Sequence, residues 1–154
     1  MKEGKHPLVI GIGNVLRGDD GAGFRVAEAL RDGNGHNLVV ITVDQLTPEL
    51  AACIASASRV LFVDASADPL RSGLMPLDAH HEALATSMAV GLSHTITPPV
   101  LMALADVLYH HQPPAWQLLI PAEHWDHGIQ LSVVTTEACG QALAMARAWG
   151  HSHA

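Results

Sequence analysis

Three short runs of nearly unbroken apolar residues, 8–12, 38–43 and 59–63, alternate along the chain with segments of helical pattern. Each run is too short for a buried helix, and none alternates apolar with polar as a half-exposed strand does. Val39-Val40-Ile41 is β-branched throughout, which favours a pleated backbone. Strands apolar on both sides must be covered on both sides. Strand–helix alternation of this kind predicts an α/β fold: one three-layer domain, with a twisted, mostly parallel sheet and helices on both faces.

The helical segments carry their own punctuation. Residues 20–31 place Phe24, Val26, Ala27 and Leu30 on one face, and Gly33-Asn34-Gly35 stops them. Thr47 is placed to cap a helix through Ala57, with Pro48 at its first position. Thr97-Pro98-Pro99 opens another helix to near His110, a strand follows at 116–120, and Ser132 starts a last helix that runs to near Trp149. Residues 65–97 are less regular. Leu74-Met75-Pro76-Leu77 suits a short edge strand because proline cannot donate to a ladder. The remainder is expected to be a long loop, which in a compact domain is often functional. No repeat, linker or low-complexity stretch divides the chain. We therefore expect a single domain over residues 1–154, with its core at about 7–149 and a tail at 150–154.

Composition removes several classes of function. Apolar residues make up 49% of the chain, Lys and Arg number 8, and the formal net charge is −7. With no basic block, a nucleic-acid partner is not expected. No apolar run approaches the length of a membrane span, and residues 1–6 lack the pattern of a signal peptide. Cys53 and Cys139 form neither a C-x-x-C motif nor a disulfide framework. The expectation is a soluble cytoplasmic protein. Most of the 11 histidines fall in pairs, loops or the tail, where solvation accounts for them.

The stretch Gly11-Ile12-Gly13-Asn14-Val15-Leu16-Arg17-Gly18-Asp19-Asp20-Gly21-Ala22-Gly23 leaves the first strand and enters the first helix. Glycines in that place suggest a phosphate cradle, and Asp44 at the end of the second strand could bind a ribose. Yet the third glycine of the dinucleotide fingerprint is Leu16. Asp19 and Asp20 would also repel a phosphate from the helix N-terminus. The other reading of the same scaffold is a metal or carboxylate site. If the strand order begins 2-1-3, Asp20 from the glycine loop and Asp64 from the third strand face one crevice at the carboxyl edge. Each acid alone has a plain structural role, Asp20 as a helix cap and Asp64 in an Asx turn. Their convergence favours function. A histidine from the irregular segment, such as His94, would complete a donor set suited to a divalent transition metal.

These residues resemble the N-terminal signature of the nickel–iron hydrogenase maturation endopeptidases. Val63-Asp64-Ala65 is similar to that family's second acidic strand end, and Ser93-His94 to its histidine loop. Pro121-Ala122-Glu123, Gly128, Leu131 and Ser132 resemble its last strand exit and final helix start. The resemblance covers roughly residues 7–149. It implies a single α/β domain that removes a short C-terminal peptide from the hydrogenase large-subunit precursor after nickel insertion. The family's metal-contacting acids fall on Asp20 and Asp64, its histidine on His94, and a further acidic position on Asp44. The chain departs from the pattern at Gln45-Leu46, where glycines are usual, and at Val133, where proline is usual.

No serine or cysteine stands beside an evident base, and H-E-x-x-H is absent. The resemblance implies that nickel arrives with the substrate and acts as a recognition element met by Asp20, Asp64 and His94. Water would be activated by a carboxylate such as Asp44 acting as general base, or by the metal. Cleavage in trans by a monomer fits this picture. The rival readings are a nickel chaperone without protease activity and a nucleotide-binding protein. Glu123-His124-Trp125-Asp126-His127 is expected to be a connection and not a metal site, and Asp19 a loop-shaping residue and not a ligand.

Overall fold

In the computed structural model, which describes residues 5–33, 37–68, 70–91 and 96–152, the expected layers are present. Strand β1 spans Pro7–Ile12 and leads through a 3-10 turn, Gly18–Gly21, into helix α1, Ala22–Asp32. Strand β2, Val39–Val43, precedes helix α2, Leu50–Ala55. Strands β3, Arg59–Ser66, and β4, Gly73–Leu77, are followed by helices α3, His81–Val90, and α4, Pro98–Tyr109. Strand β5, Ala115–Pro121, and helix α5, Val133–Ser152, complete the domain.

The five strands lie in the order β2-β1-β3-β5-β4. β1 pairs parallel with β2 and β3, and β3 parallel with β5; β4 closes the edge antiparallel to β5. Alternation along each central strand divides the core. Leu8, Ile10, Val60 and Phe62 face Ile54, Leu84, Leu101 and Leu104 on the side of α2, α3 and α4. Val9, Leu61, Val63, Leu118 and Ile120 face Val26, Leu30, Ala146 and Trp149 on the side of α1 and α5. With both faces covered, the unbroken apolar strands are explained.

Four expectations need correction. The chain past Asp20 is not yet α-helix: the 3-10 turn holds Gly18–Gly21, and the regular helix starts at Ala22. Thr47 does not cap α2. The chain enters that shorter helix by i→i+3 bonds, Leu50 N–H to Thr47 O at 3.1 Å and Ala51 N–H to Pro48 O at 3.0 Å. Residues 65–97 are not mostly loop, because α3 packs against α4 and buries Leu84 and Ser87. Its run His81-Glu82-Ala83-Leu84-Ala85-Thr86-Ser87-Met88-Ala89-Val90 has no clean apolar stripe, so periodicity did not reveal it. Finally, β3 does not end at Asp64 but continues to Ser66.

Other boundaries agree with the sequence. Thr97 caps α4 by accepting a hydrogen bond from Val100 N–H, with proline in the first turn. Ser132 precedes α5 and accepts from Thr135 N–H at 3.2 Å. That helix runs past Trp149, because the buried guanidinium of Arg59 donates to the carbonyls of Trp149 at 2.7 Å and Gly150 at 3.2 Å.

Candidate active site at the carboxyl edge of the sheet

Strand β1 is shorter than β3 at the carboxyl edge, and that difference opens the site. The β1–β3 ladder ends with Gly11 opposite Val63, whereas the β3–β5 ladder continues through Asp64, Ala65 and Ser66. Asp64 is thus the first β3 residue whose neighbouring strand has turned away. Ala65 N–H finds its acceptor in the Asp64 carboxylate, at 2.8 Å. The side chain is half-buried.

The chain that leaves β1 is the glycine loop, which returns to lie against β3 through the 3-10 turn. Two glycines permit this. A Cβ on Gly13, whose φ is +151°, would collide with the Asp20 carbonyl. A Cβ on Gly23 would enter the carbonyls of Val63 and Ile12. The loop can therefore press onto the end of β3 only with hydrogen at these positions. Asn14 N–H then donates to the Asp20 carboxylate at 3.0 Å, and the Asn14 side chain accepts from Leu16 N–H at 2.9 Å.

The two acids meet electrostatically. Burial raises the Asp64 carboxyl, the bond from Ala65 N–H offsets part of the rise, and the nearby Asp20 charge adds to it; the pKa stands at about 7. A carboxylate that is costly to ionise beside another carboxylate is relieved by a cation, so this donor pair suits one.

Asp44 follows β2 at the same edge and is exposed. Gly13 N–H donates to Val43 O at 2.9 Å, which ties the β1 exit to the end of β2. One strand, β1, separates β2 from β3, so Asp44 and Asp64 stand about two strand spacings apart, roughly 10 Å. His94 lies outside the described residues. Among the described residues, no group of three or more His, Cys, Asp or Glu side chains is placed to hold a metal ion.

Asp19 shapes the loop, as expected, and the structure shows through which donors. It is fully buried, at 0% exposure. Its carboxylate accepts hydrogen bonds from Glu123 N–H and His124 N–H at 2.9 Å, Ser132 N–H at 2.7 Å and Ser132 Oγ at 2.8 Å. Burial pushes its pKa up, but the donors of Glu123, Ser132 and Thr135 outweigh that and hold it at about 2. The 123–127 segment is thus a connection, as expected, but one whose backbone amides hold an anion of the chain itself. The only trace of this in the sequence was the Asp-Asp pair followed by a distant helix-starting serine.

The same bonds weigh against a phosphate cradle. Asn14 N–H is taken by Asp20, Gly18 N–H by the Gly128 carbonyl, and Asp19 N–H by the His124 carbonyl. No helix of the described structure is long and apolar enough to cross a membrane.

No protein-family model matches the chain, and no curated protein matches it. Solved structures do. The hydrogenase maturating endopeptidase HybD from Escherichia coli superimposes with a TM-score of 0.67 at 23% identity, covering 96% of this chain and 94% of that one. The hydrogenase 2 maturation peptidase from Thaumarchaeota archaeon SCGC_AB-539-E09 gives 0.66 at 22% identity, covering 95% and 99%. The [NiFe] hydrogenase maturation protease HybD from Thermococcus kodakarensis gives 0.65 at 21% identity, covering 94% and 99%. At such identities the likeness carries the fold, end to end. The chain therefore has the fold of the hydrogenase maturation endopeptidases, the group its glycine-loop signature resembles.

Proposed function

We propose that this protein is an endopeptidase that removes the C-terminal peptide from the nickel-loaded precursor of a [NiFe]-hydrogenase large subunit. The observation that carries the proposal is the convergence of Asp20 and Asp64 at the carboxyl edge, where the Asp64 carboxyl is pushed up to about 7. Nickel enters as part of the substrate. Asp20 and Asp64 would contact it, with His94 as the third donor; bound there, it supplies the positive charge that this pair lacks.

The chain's own residues then do the rest. The metal contact sets the register of the precursor, so that one peptide bond lies over the edge of the sheet. Asp44, at the end of β2, is the carboxylate left to take a proton from the attacking water. The water oxygen bonds to the scissile carbonyl carbon, and the proton passes to the departing amine. Recognition through a metal explains how an enzyme could cut one protein, once, and only after metal insertion. A monomer acting in trans in the cytoplasm is sufficient for this reaction.

The test is incubation with nickel-loaded and nickel-free precursor, following the precursor's C-terminus by mass spectrometry. Cleavage of the loaded form alone is expected, and Asp20→Asn should abolish it. Equal cleavage of both forms would remove nickel from the recognition step. Tight nickel binding by the isolated protein without clipping of any precursor would favour a chaperone instead.

A further inference from the structure

The structure assigns Asp19 as a positioning residue, which joins the glycine loop to the β5–α5 connection as one rim and thereby holds Asp20 toward Asp64. The inference rests on the proteolytic reading for its kinetic consequences, but its geometry stands independently.

The two segments meet along several bonds besides those of the Asp19 carboxylate. Gly128 N–H donates to Leu16 O at 2.8 Å, Gly18 N–H to Gly128 O at 2.8 Å, and Asp19 N–H to His124 O at 2.8 Å. A Cβ at Gly18, whose φ is +58°, would come within 2.7 Å of the His124 carbonyl oxygen. The Asp19 carboxylate closes this contact with four acceptor bonds, to Glu123, His124 and twice to Ser132. Asp20 is the next residue, its carboxylate set by Asn14 N–H. A loop that exits a strand and is anchored only at its two ends would let Asp20 swing. Anchoring it at Asp19, through residues more than 100 positions away, removes that freedom.

The chemistry is specific to a carboxylate. All four partners are donors, and an ionised carboxylate is an acceptor only. Asparagine keeps one acceptor oxygen and turns an NH2 group onto donors. Asp19→Asn therefore changes the network while keeping the shape.

The experiment uses the full chain with Asp19→Asn and Ser132→Ala. Three readouts are taken: precursor cleavage, hydrogen exchange at Asn14 N–H with core amide Val63 as the fold control, and melting temperature. A displacement of about 1 Å at a reacting group costs on the order of 100-fold in rate. Folded Asp19→Asn is expected to lose that much in kcat with KM changed less than about threefold. Its Asn14 amide should exchange faster while Val63 stays protected. Ser132→Ala, which keeps the three backbone donors, should lose about three- to tenfold in kcat and decides the matter if Asp19→Asn does not fold. Parental kcat and parental Asn14 exchange in a folded variant would overturn the assignment. So would a lowered melting temperature with kcat intact. If the parent protein cuts no precursor, the proteolytic reading falls, and positioning is judged on Asn14 exchange alone.

Discussion

Asp19 and Ser132, 113 residues apart, are joined by two hydrogen bonds, from Ser132 N–H at 2.7 Å and from Ser132 Oγ at 2.8 Å. Ser132 also starts α5 by accepting from Thr135 N–H. The fully buried Thr135 donates in turn to the Pro121 carbonyl at 2.9 Å. One buried carboxylate thus ties the exit of β1, the exit of β5 and the start of α5 together.

Removing that carboxylate leaves buried donors without partners. Each orphaned donor costs about 1–3 kcal/mol, so Asp19→Ala should destabilise the fold by roughly 4 kcal/mol or more, read as a lowered urea midpoint. The pH dependence follows from the depressed pKa. A carboxyl at about 2 when folded and 3.8 otherwise contributes stability that is complete above pH 4 and lost as pH falls toward 2. The loss amounts to about 2 kcal/mol. Acid titration of the parent and Asp19→Ala should differ in that window.

Asp64 behaves in the opposite sense. Its folded pKa of about 7 lies above the ordinary 3.8, so the folded state holds a proton that the unfolded state releases. Stability from this group falls as pH rises from 4 to 7 and is level beyond. Asp64→Asn should abolish that slope and stabilise the apo protein at pH 8. The gain is bounded by about 4 kcal/mol and lowered by the water that reaches a half-buried carboxyl. The same variant should cut no precursor. Denaturation at pH 5 and pH 8, beside a cleavage assay, reads both; a variant no more stable than the parent at pH 8 would contradict the assigned burial.

Gly23→Ala tests the approach of α1 to β3. The added methyl meets two backbone carbonyls, Val63 O and Ile12 O, which cannot rotate aside as a side chain could. We expect a loss of about 3 kcal/mol and a larger proportional loss of cleavage, because the strand end that yields carries Asp64. A parental denaturation midpoint would show that the helix can shift freely.

Arg59→Ala is the contrasting case at the amino end of β3. Its guanidinium lies 4.2 Å over the Trp149 ring and donates to the last carbonyls of α5. Loss of these contacts should cost about 2–4 kcal/mol. Because the site lies at the carboxyl edge, kcat measured below the melting transition should remain within twofold of the parent. A kcat loss as large as that of Asp20→Asn would mean that the two ends of the sheet are coupled.

The layers were legible in the chain because burial on both faces leaves a local mark, the unbroken apolar run; the strand order around β1 entered only as a condition, and the structure supplies it. With the 2-1-3 order present, strand ends one and three stand side by side, and the Asp20 charge is near enough to raise the Asp64 carboxyl. Helix α3 was not legible: only Leu84 and Ser87 among its residues are buried, so packing imposed little pattern on it. Nor was Arg59, whose partners lie 90 and 91 positions away. The sequence by itself determined the scaffold and which acids stand at its carboxyl edge. Tertiary structure alone decided that β3 outruns β1 at Asp64, that burial and Asp20 raise its carboxyl, and which distant donors hold the Asp19 carboxylate. Those donors lie more than 100 positions from Asp19, and no local pattern in a chain records a partner that only folding brings up.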